Sequence, residues 1–206
     1  KELRLKVSFD KEERVNYLTY PEARLITEKL GFSILTLKEY WLALNDAKKI
    51  KDIQMINNLQ GSNFVEFLDT VFKNYNIMIE HPRIMKNNEK YSFEGKKVEV
   101  IIPKGKPGLI HPDQIDLKTG IPKKVGSPSE YGNPNLWRYW EPDSDLVIPT
   151  RSYIFLLKQP CWDGKFHIND SFPNLGIRPC SKRQIIPDVN IYLEKNKLKV
   201  EIKKEG

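Results

Sequence analysis

The distribution of proline and glycine constrains this chain more than any other feature of its sequence. The chain has 206 residues, with 14 prolines and 11 glycines, and these crowd into the stretch between Pro103 and Pro187. Proline fixes φ and lacks a backbone donor, so long helices are disfavoured there. Regular helices are therefore expected in the first half of the chain, and strands joined by loops in the second half.

Two helices are predicted from their start signals. The sequence from Thr19 to Glu22 is a capping box with proline near the first helical position, and it predicts a helix that ends before Gly31. A second capping box runs from Thr36 to Glu39. Behind it, apolar residues recur at helical spacing and form one face: Leu37, Tyr40, Trp41, Leu44 and Ala47.

Weaker patterns predict the remaining elements. A third helix is predicted after Ser62, where five apolar residues would share a face: Phe64, Phe67, Leu68, Val71 and Phe72. Residues 50–60 could be helical or irregular. Alternating or short apolar runs predict strands at residues 3–9, 77–79, 98–102, 146–148, 153–157 and 175–177, and a hairpin of residues 189–193 and 198–202 within a C-terminal segment 189–203.

Residues 103–144 show no periodicity and are predicted to form a long irregular insertion. The whole chain, residues 1–206, is predicted to be a single α+β domain, because this length supports one substantial core. No apolar run approaches the roughly 18 residues that span a bilayer, so no membrane partner is expected. Residues 1–6 are charged and alternating, so no signal peptide is expected within the printed sequence, and the compartment stays open.

The net charge of +7 raises the question of a nucleic-acid partner. The excess lysines are spread along the chain, at Lys96, Lys97, Lys104, Lys106 and in the C-terminal tail, and no predicted helix presents a continuous basic face. Solvated surface lysines explain this pattern better than a nucleic-acid site does. A basic nucleic-acid-binding or viral structural protein is kept as an alternative.

Metal-binding residues are sparse. The two cysteines, Cys161 and Cys180, are too few for a zinc site made of thiolates, and the histidines His81, His111 and His167 lie far apart without ligand spacing. No cofactor is therefore expected. The oxygen-bearing residues that could hold calcium instead are Glu141, Asp143, Asp145, Asn169 and Asp170, although such residues are also common in turns.

Two further motifs suggest a family. The first half carries Glu22-Ala23, then Leu35-Thr36 and Glu39-Tyr40-Trp41, and the second half carries the sequence Asn174-Leu175-Gly176-Ile177-Arg178. In this order the chain resembles the formylglycine-generating-enzyme-like (sulfatase-modifying-factor) branch of the C-type lectin fold. The resemblance implies a C-type-lectin-like fold, with two N-terminal helices packed on a small twisted antiparallel sheet with long loops. Gly176 would let the backbone pass closely, and Arg178 would tie loop carbonyls or carboxylates.

The enzymes of that branch use a pair of cysteines ahead of the Gly-hydrophobe-Arg motif to bind copper. Cys161 matches the later cysteine, but the earlier position falls near Phe155, and Cys180 follows the motif. One thiolate does not supply two soft ligands, so we expect a non-catalytic protein. A copper- and cysteine-dependent formylglycine-generating-type oxidase centred on Cys161 is kept as an alternative.

Aromatic residues are concentrated in the predicted loops of the second half. On rigidly anchored loops they give a large contact area at low entropic cost, so they predict a surface that binds a protein or glycan ligand. Among them Trp137, Trp140 and Trp162 are expected to be exposed, and the alternative is that half of the set forms the core. The family resemblance also implies a possible variable protein of a diversity-generating retroelement. The predicted ligand-binding residues are Trp137, Tyr139, Trp140, Tyr153, Phe155, Trp162, Phe166, His167 and Asn169.

Overall fold

The fold is described from a computed structural model. It describes residues 19–29, 31, 33–60, 65–87, 90–104, 108–126, 136–142, 146–154, 159–169, 175–176, 179–180, 189–194 and 197–202. The predicted strand at residues 3–9, together with Phe155 and Arg178, lies outside these ranges.

Three helices occupy the first part of the chain, as the proline distribution predicts: α1 (Tyr20–Lys29), α2 (Leu37–Lys49) and α3 (Ile53–Gln60). The capping box of α2 is complete, because the Thr36 side chain accepts from the Glu39 N–H and the Glu39 carboxylate accepts from the Thr36 N–H. Helix α3 resolves the open choice for residues 50–60. None of the helices among the described residues is long and apolar enough to cross a bilayer.

The strands are short and numerous. In chain order they are β1 (Ser33–Ile34), β2 (Val65–Phe67), β3 (Thr70–Lys73), β4 (Ile77–Glu80), β5 (Arg83–Asn87), β6 (Lys90–Glu94), β7 (Lys97–Glu99), β8 (Gly108–Ile110), β9 (Ile115–Asp116), β10 (Ile121–Pro122), β11 (Trp137–Trp140), β12 (Val147–Ile154), β13 (Gln159–His167), β14 (Leu175–Gly176), β15 (Pro179–Cys180), β16 (Val189–Glu194) and β17 (Lys197–Ile202).

The main sheet has nine strands in the described part of the chain. Its order is β7-β4-β3-β12-β13-β11-β8, and β2 pairs with both β12 and β14. Most pairs are antiparallel, but β11 with β13 and β14 with β2 are parallel. Separate two-stranded sheets join β1 to β15, β9 to β10, β5 to β6 and β16 to β17. The predicted α+β class is confirmed, whereas the main sheet is larger than the small antiparallel sheet that we expected.

The core is divided between the two faces of the sheet. Val71 pairs with Ile79 and Phe72 with Met78 across β3 and β4, and consecutive residues of a strand point to opposite faces. Phe72 and Met78 pack with helices α2 and α3, whereas Val71 and Ile79 pack with Tyr20 of α1. The first two helices therefore contribute to different core clusters, one on each face of the sheet.

The prediction of a third helix after Ser62 is wrong. The chain forms β2 and β3 here, and Thr70, Val71 and Phe72 are all buried because both faces of the sheet are covered. A strand buried on both faces reads as a continuous apolar run, which periodicity alone does not distinguish from a buried helix.

The prediction of an irregular insertion at 103–144 is also wrong for its described residues. They contain β8, a 3₁₀ turn at Pro112–Gln114, the β9–β10 hairpin and β11. Ile110, Ile115 and Ile121 from this stretch belong to the core that packs on α2. Each of its strands is only two to four residues long, too short to produce a visible period in the sequence.

The remaining strand predictions are largely confirmed. Strand β4 (Ile77–Glu80) matches the prediction at 77–79. Strand β7 (Lys97–Glu99) covers only the first two residues of the prediction at 98–102, and residues 100–102 are not in a strand. The strands predicted at 146–148 and 153–157 meet in one strand, β12 (Val147–Ile154), and residues 155–157 lie outside the described ranges. Strand β14 covers the first two residues of the prediction at 175–177. The C-terminal hairpin is confirmed as the antiparallel pair β16–β17.

Candidate ligand-binding site

Three of the predicted ligand-binding aromatics lie in the core. Trp137 is 1% exposed, and Tyr139 and Trp162 are 0% exposed. Trp137 packs on Trp41 of α2 with ring centroids 4.7 Å apart, and Tyr139 stacks on Trp162 at 4.8 Å. The expectation that Trp137 and Trp162 are exposed is therefore wrong. The reason is that β11 and β13 are adjacent strands in the sheet interior, with these side chains on the face that α2 covers.

The other predicted aromatics are less enclosed. Trp140 and Phe166 are half-buried, and His167 and Asn169 are exposed. Trp140 lies opposite Asp163 of β13, three residues before Phe166, so these residues belong to one region of the sheet. Tyr153 lies in β12 opposite Pro160, and Gly176 in β14 opposite Glu66. The side chain of Tyr153, and those of the residues on either side of Gly176, lie outside the described parts of the structure.

The thiol proposed for the oxidase alternative is enclosed. Cys161 lies in β13 opposite Ser152 and is 2% exposed, and a buried thiol in apolar surroundings is ordinarily unreactive. Cys180 pairs instead with Ser33 in the small β1–β15 sheet. Among the described residues, no three His, Cys, Asp or Glu side chains are placed to hold a metal ion. Asp143, Asp145 and Asp170 of the possible calcium set lie outside them.

A polar cluster that the sequence did not predict lies beside α1. Its centre is Asp69, between β2 and β3, whose side chain is 0% exposed. The Tyr20 hydroxyl donates to Oδ1 at 2.7 Å, and Arg24 Nε lies 2.9 and 3.0 Å from the two carboxylate oxygens. His81 Nδ1 lies 2.7 Å from Oδ2. A buried carboxylate is costly unless it is paired and hydrogen-bonded, and Asp69 satisfies both conditions.

His81 connects this cluster to α2. Its Nε2 lies 3.3 Å from Glu39 Oε2 while its Nδ1 faces Asp69. A neutral imidazole carries one N–H, so both contacts can be hydrogen bonds only when the ring is protonated. The backbone of His81 has a φ of 45°, a left-handed conformation that is uncommon outside glycine. Its N–H donates to the Asp69 carbonyl at 3.0 Å, which helps to hold that conformation.

The pKa values follow from these contacts. The hydrogen bond with Asp69, and then the one with Glu39, raises the pKa of His81 from 6.5 to about 10. The hydrogen bond from His81 lowers the pKa of Glu39 from 4.5 to about 2. Burial, with the neighbouring Asp69 carboxylate, raises the pKa of Tyr20 well above 10.0. At neutral pH the cluster therefore holds a neutral phenol and a charged imidazolium.

An open groove of about 560 Å³ lies next to this cluster. Helix α1 forms one wall, and the corner between β4 and β5 forms the other. The groove lies within the size range of small-molecule sites. Its lining combines cationic and apolar side chains: Arg24, Leu25, Glu28, His81, Pro82, Arg83 and Ile84.

One sequence signal could have indicated this site. Asp69 is the charged residue between two apolar pairs, Phe67-Leu68 and Val71-Phe72. Charged residues are rarely fully buried unless they are paired, so an acid at the centre of a buried strand pair implies basic partners elsewhere. The partners themselves, 45 and 12 residues away, could not be read from the sequence.

Comparison with known proteins does not assign the chain to a family. No protein-family model, no curated protein and no solved structure matches it. The C-type-lectin resemblance therefore stays a prediction, and the function of the groove has to be inferred from its own residues.

Proposed function

We propose that this protein is a non-catalytic ligand-binding protein that takes its ligand in the groove between α1 and the β4–β5 corner. The observation that carries the proposal is the fully buried Asp69, which fixes two groove-lining side chains, Arg24 and His81. Side chains that are held in place before the ligand arrives lose little entropy on binding.

The geometry of His81 favours binding over catalysis. An aspartate that orients a histidine is the arrangement used in nucleophilic catalysis, where the second ring nitrogen takes a proton from the nucleophile. Here that nitrogen, Nε2, faces the Glu39 carboxylate. An imidazolium with both nitrogens bonded to carboxylates does not act as a general base at neutral pH, because neither nitrogen is free to take a proton.

Fragment binding tests the proposal. A library of small fragments would be titrated into the ¹⁵N-labelled protein, and shift changes of the backbone amides followed by NMR. We expect the shifted amides to cluster at residues 24–28 and 81–84. Clustering around Trp140 and His167, or no clustering at all, would contradict the proposal.

A matched pair of leucine variants sharpens this test. Leu25 is 38% exposed and lines the groove, whereas Leu117 is 37% exposed and lies in the β9–β10 turn. Leu25→Gln should weaken the fragments that bind the groove several-fold, since each methylene removed from water contributes about 0.8 kcal/mol. Leu117→Gln should leave the same fragments unaffected.

A second candidate is the aromatic surface predicted from the sequence, reduced to its exposed and half-buried members. The exposure of His167, the last residue of β13, and of Asn169 favours it, and Trp140 pairs with Asp163 of the same strand. On this reading the ligand is a protein or glycan, and the chain could be a diversified receptor of a retroelement. A near-copy of the codons for residues 137–178 close to the gene, differing mainly at adenines, would support this candidate.

A further inference from the structure

The charges that line the groove are unequal. Arg24, His81 and Arg83 contribute positive charge, and Glu28 is the carboxylate among the lining residues. Asp69 balances part of this charge, but it is fully buried behind the groove wall. Glu39 contacts His81 and is not among the lining residues. Because Asp69 and Glu39 neutralise His81, a ligand in the groove meets two guanidinium groups, those of Arg24 and Arg83, and one carboxylate, that of Glu28.

Arg24 is anchored at one end and available at the other. Its Nε carries the contacts to Asp69 at 2.9 and 3.0 Å, which orient the guanidinium. Its Nη1 lies 3.7 Å from Glu28, which is 69% exposed. Arg24 itself is 15% exposed. A long ion pair to an exposed carboxylate contributes little, so an anion could replace Glu28 there without a large loss.

Arg83 is the second available cation. It is exposed at the first position of β5, and no salt bridge joins it to another described residue. A guanidinium presents a planar fork of donors that fits a carboxylate or a phosphate.

The same groove has an apolar part. Leu25 is partly exposed on α1, Pro82 is buried and Ile84 is half-buried on β5. A small inorganic anion would leave this surface in contact with water. A ligand with an apolar group beside its acid would cover it and gain from the burial.

We infer that the groove binds a small organic acid whose carboxylate or phosphate contacts Arg24 and Arg83 while its apolar part packs against Leu25 and Ile84. This inference rests on the proposed function and specifies the chemical class of the ligand. Glu28 competes with the ligand for Arg24, so removal of the Glu28 carboxylate should strengthen binding.

Four probes separate the contributions of charge and apolar contact. Benzoate and phenyl phosphate carry an acid on an aromatic ring, benzamide is the neutral analogue of benzoate, and acetate lacks the ring. Titrations followed by NMR at low ionic strength should show benzoate, phenyl phosphate or both binding at residues 24–28 and 81–84. Benzamide should bind about tenfold more weakly, because it makes no hydrogen bond through a charged group. Acetate should also bind about tenfold more weakly, because it lacks the ring that would cover the apolar part of the groove. If benzoate binds more tightly than phenyl phosphate, the groove prefers a carboxylate, and the reverse order shows that it prefers a phosphate.

Three variants test the assigned residues. Arg83→Gln should lower the affinity for the tighter-binding aromatic acid about tenfold. Glu28→Gln should raise the affinity for the same acid about two- to threefold, the range expected when a weak ion pair is removed. Lys97→Gln, in the exposed edge strand β7, changes the net charge as Arg83→Gln does and should leave the affinity unchanged.

Equal binding of benzoate and benzamide, or equal affinity in Arg83→Gln and wild type, would overturn the inference. If neutral fragments then still bind at residues 24–28 and 81–84, the proposed function stands without the acid. If no fragment binds there, both proposals fail.

Discussion

At the scale of single residues, one buried carboxylate organises a large part of the structure. Asp69 joins Tyr20 and Arg24 of α1 to His81 at the β4–β5 corner. His81 in turn reaches Glu39 in the first turn of α2. Removing one partner of such a cluster leaves a buried charge without compensation, which is costly. The groove and the fold therefore depend on the same contacts.

The titration of His81 and Glu39 predicts how stability depends on pH. The pKa of His81 is 6.5 when unpaired and about 10 in the fold, so its contribution is complete below pH 6.5 and is lost as the pH rises towards 10. The pKa of Glu39 falls from 4.5 to about 2, so its contribution is complete above pH 4.5 and is lost as the pH falls towards 2. Both side chains are nearly half exposed, and solvent screening makes each effect modest.

The variant His81→Asn tests this dependence, because asparagine tolerates positive φ and carries no charge. Urea unfolding at a series of pH values should show the wild type losing stability between pH 6.5 and 10 and the variant losing less. The variant should also lose less stability as the pH falls from 4.5 to 2, because Glu39 has lost its main partner. Parallel curves for the two proteins would contradict the assigned contacts.

At the scale of elements, the β9–β10 hairpin shows why the middle of the chain is ordered. Its turn is closed by the Asp116 side chain, which accepts from the Lys118 N–H and the Thr119 hydroxyl, each at 3.0 Å. Gly120 follows with a φ of 76°. A Cβ at Gly120 would lie 2.9 Å from backbone atoms of Leu37 and Lys38, at the start of α2. The turn is therefore packed directly against the first turn of that helix.

Two glycine substitutions separate backbone strain from this close packing. Gly31, after α1, has a φ of 73°, and a Cβ there would meet no atom within 4 Å. Gly31→Ala should lower the free energy of unfolding by about 1–2 kcal/mol through strain alone. Gly120→Ala should cost clearly more, because its Cβ would overlap backbone that cannot rotate away. Equal losses in denaturant unfolding would show that the hairpin is not packed on α2 in this way.

At the scale of the whole molecule, four large aromatic side chains of the described residues pack together against one face of the sheet. Trp41, Trp137, Tyr139 and Trp162 belong to one core cluster on the face covered by α2 and α3. Strand alternation accounts for the split within β11, since Trp137 and Tyr139 are buried and Arg138 and Trp140 are not. Among the second-half aromatics whose burial is described, three therefore belong to the core and two, Trp140 and Phe166, are half-buried.

Two substitutions in β13 distinguish core from surface. Trp162→Ala should lower the free energy of unfolding by about 3–5 kcal/mol, the range for loss of a large buried side chain. His167→Ala, at an exposed position of the same strand, should change it by less than about 0.5 kcal/mol. Urea midpoints would measure both. A small loss for Trp162→Ala would restore this residue to the candidate binding surface.

The sequence by itself determined the elements whose signals are local. Helices α1 and α2 follow from caps three residues apart, and the β16–β17 hairpin from alternation within each strand. The helix predicted after Ser62 was wrong because Thr70, Val71 and Phe72 are all buried, and a strand that is buried on both faces has no polar face to reveal its period.

Only the tertiary structure decided which side chains became core and which formed the groove. Trp162 is buried because β13 pairs with β11 and β12 in the sheet interior. Arg24 and His81 meet at Asp69 from 45 and 12 residues away. Burial and charge pairing depend on neighbours that are distant in sequence, whereas caps and strand alternation depend on neighbours within a few residues.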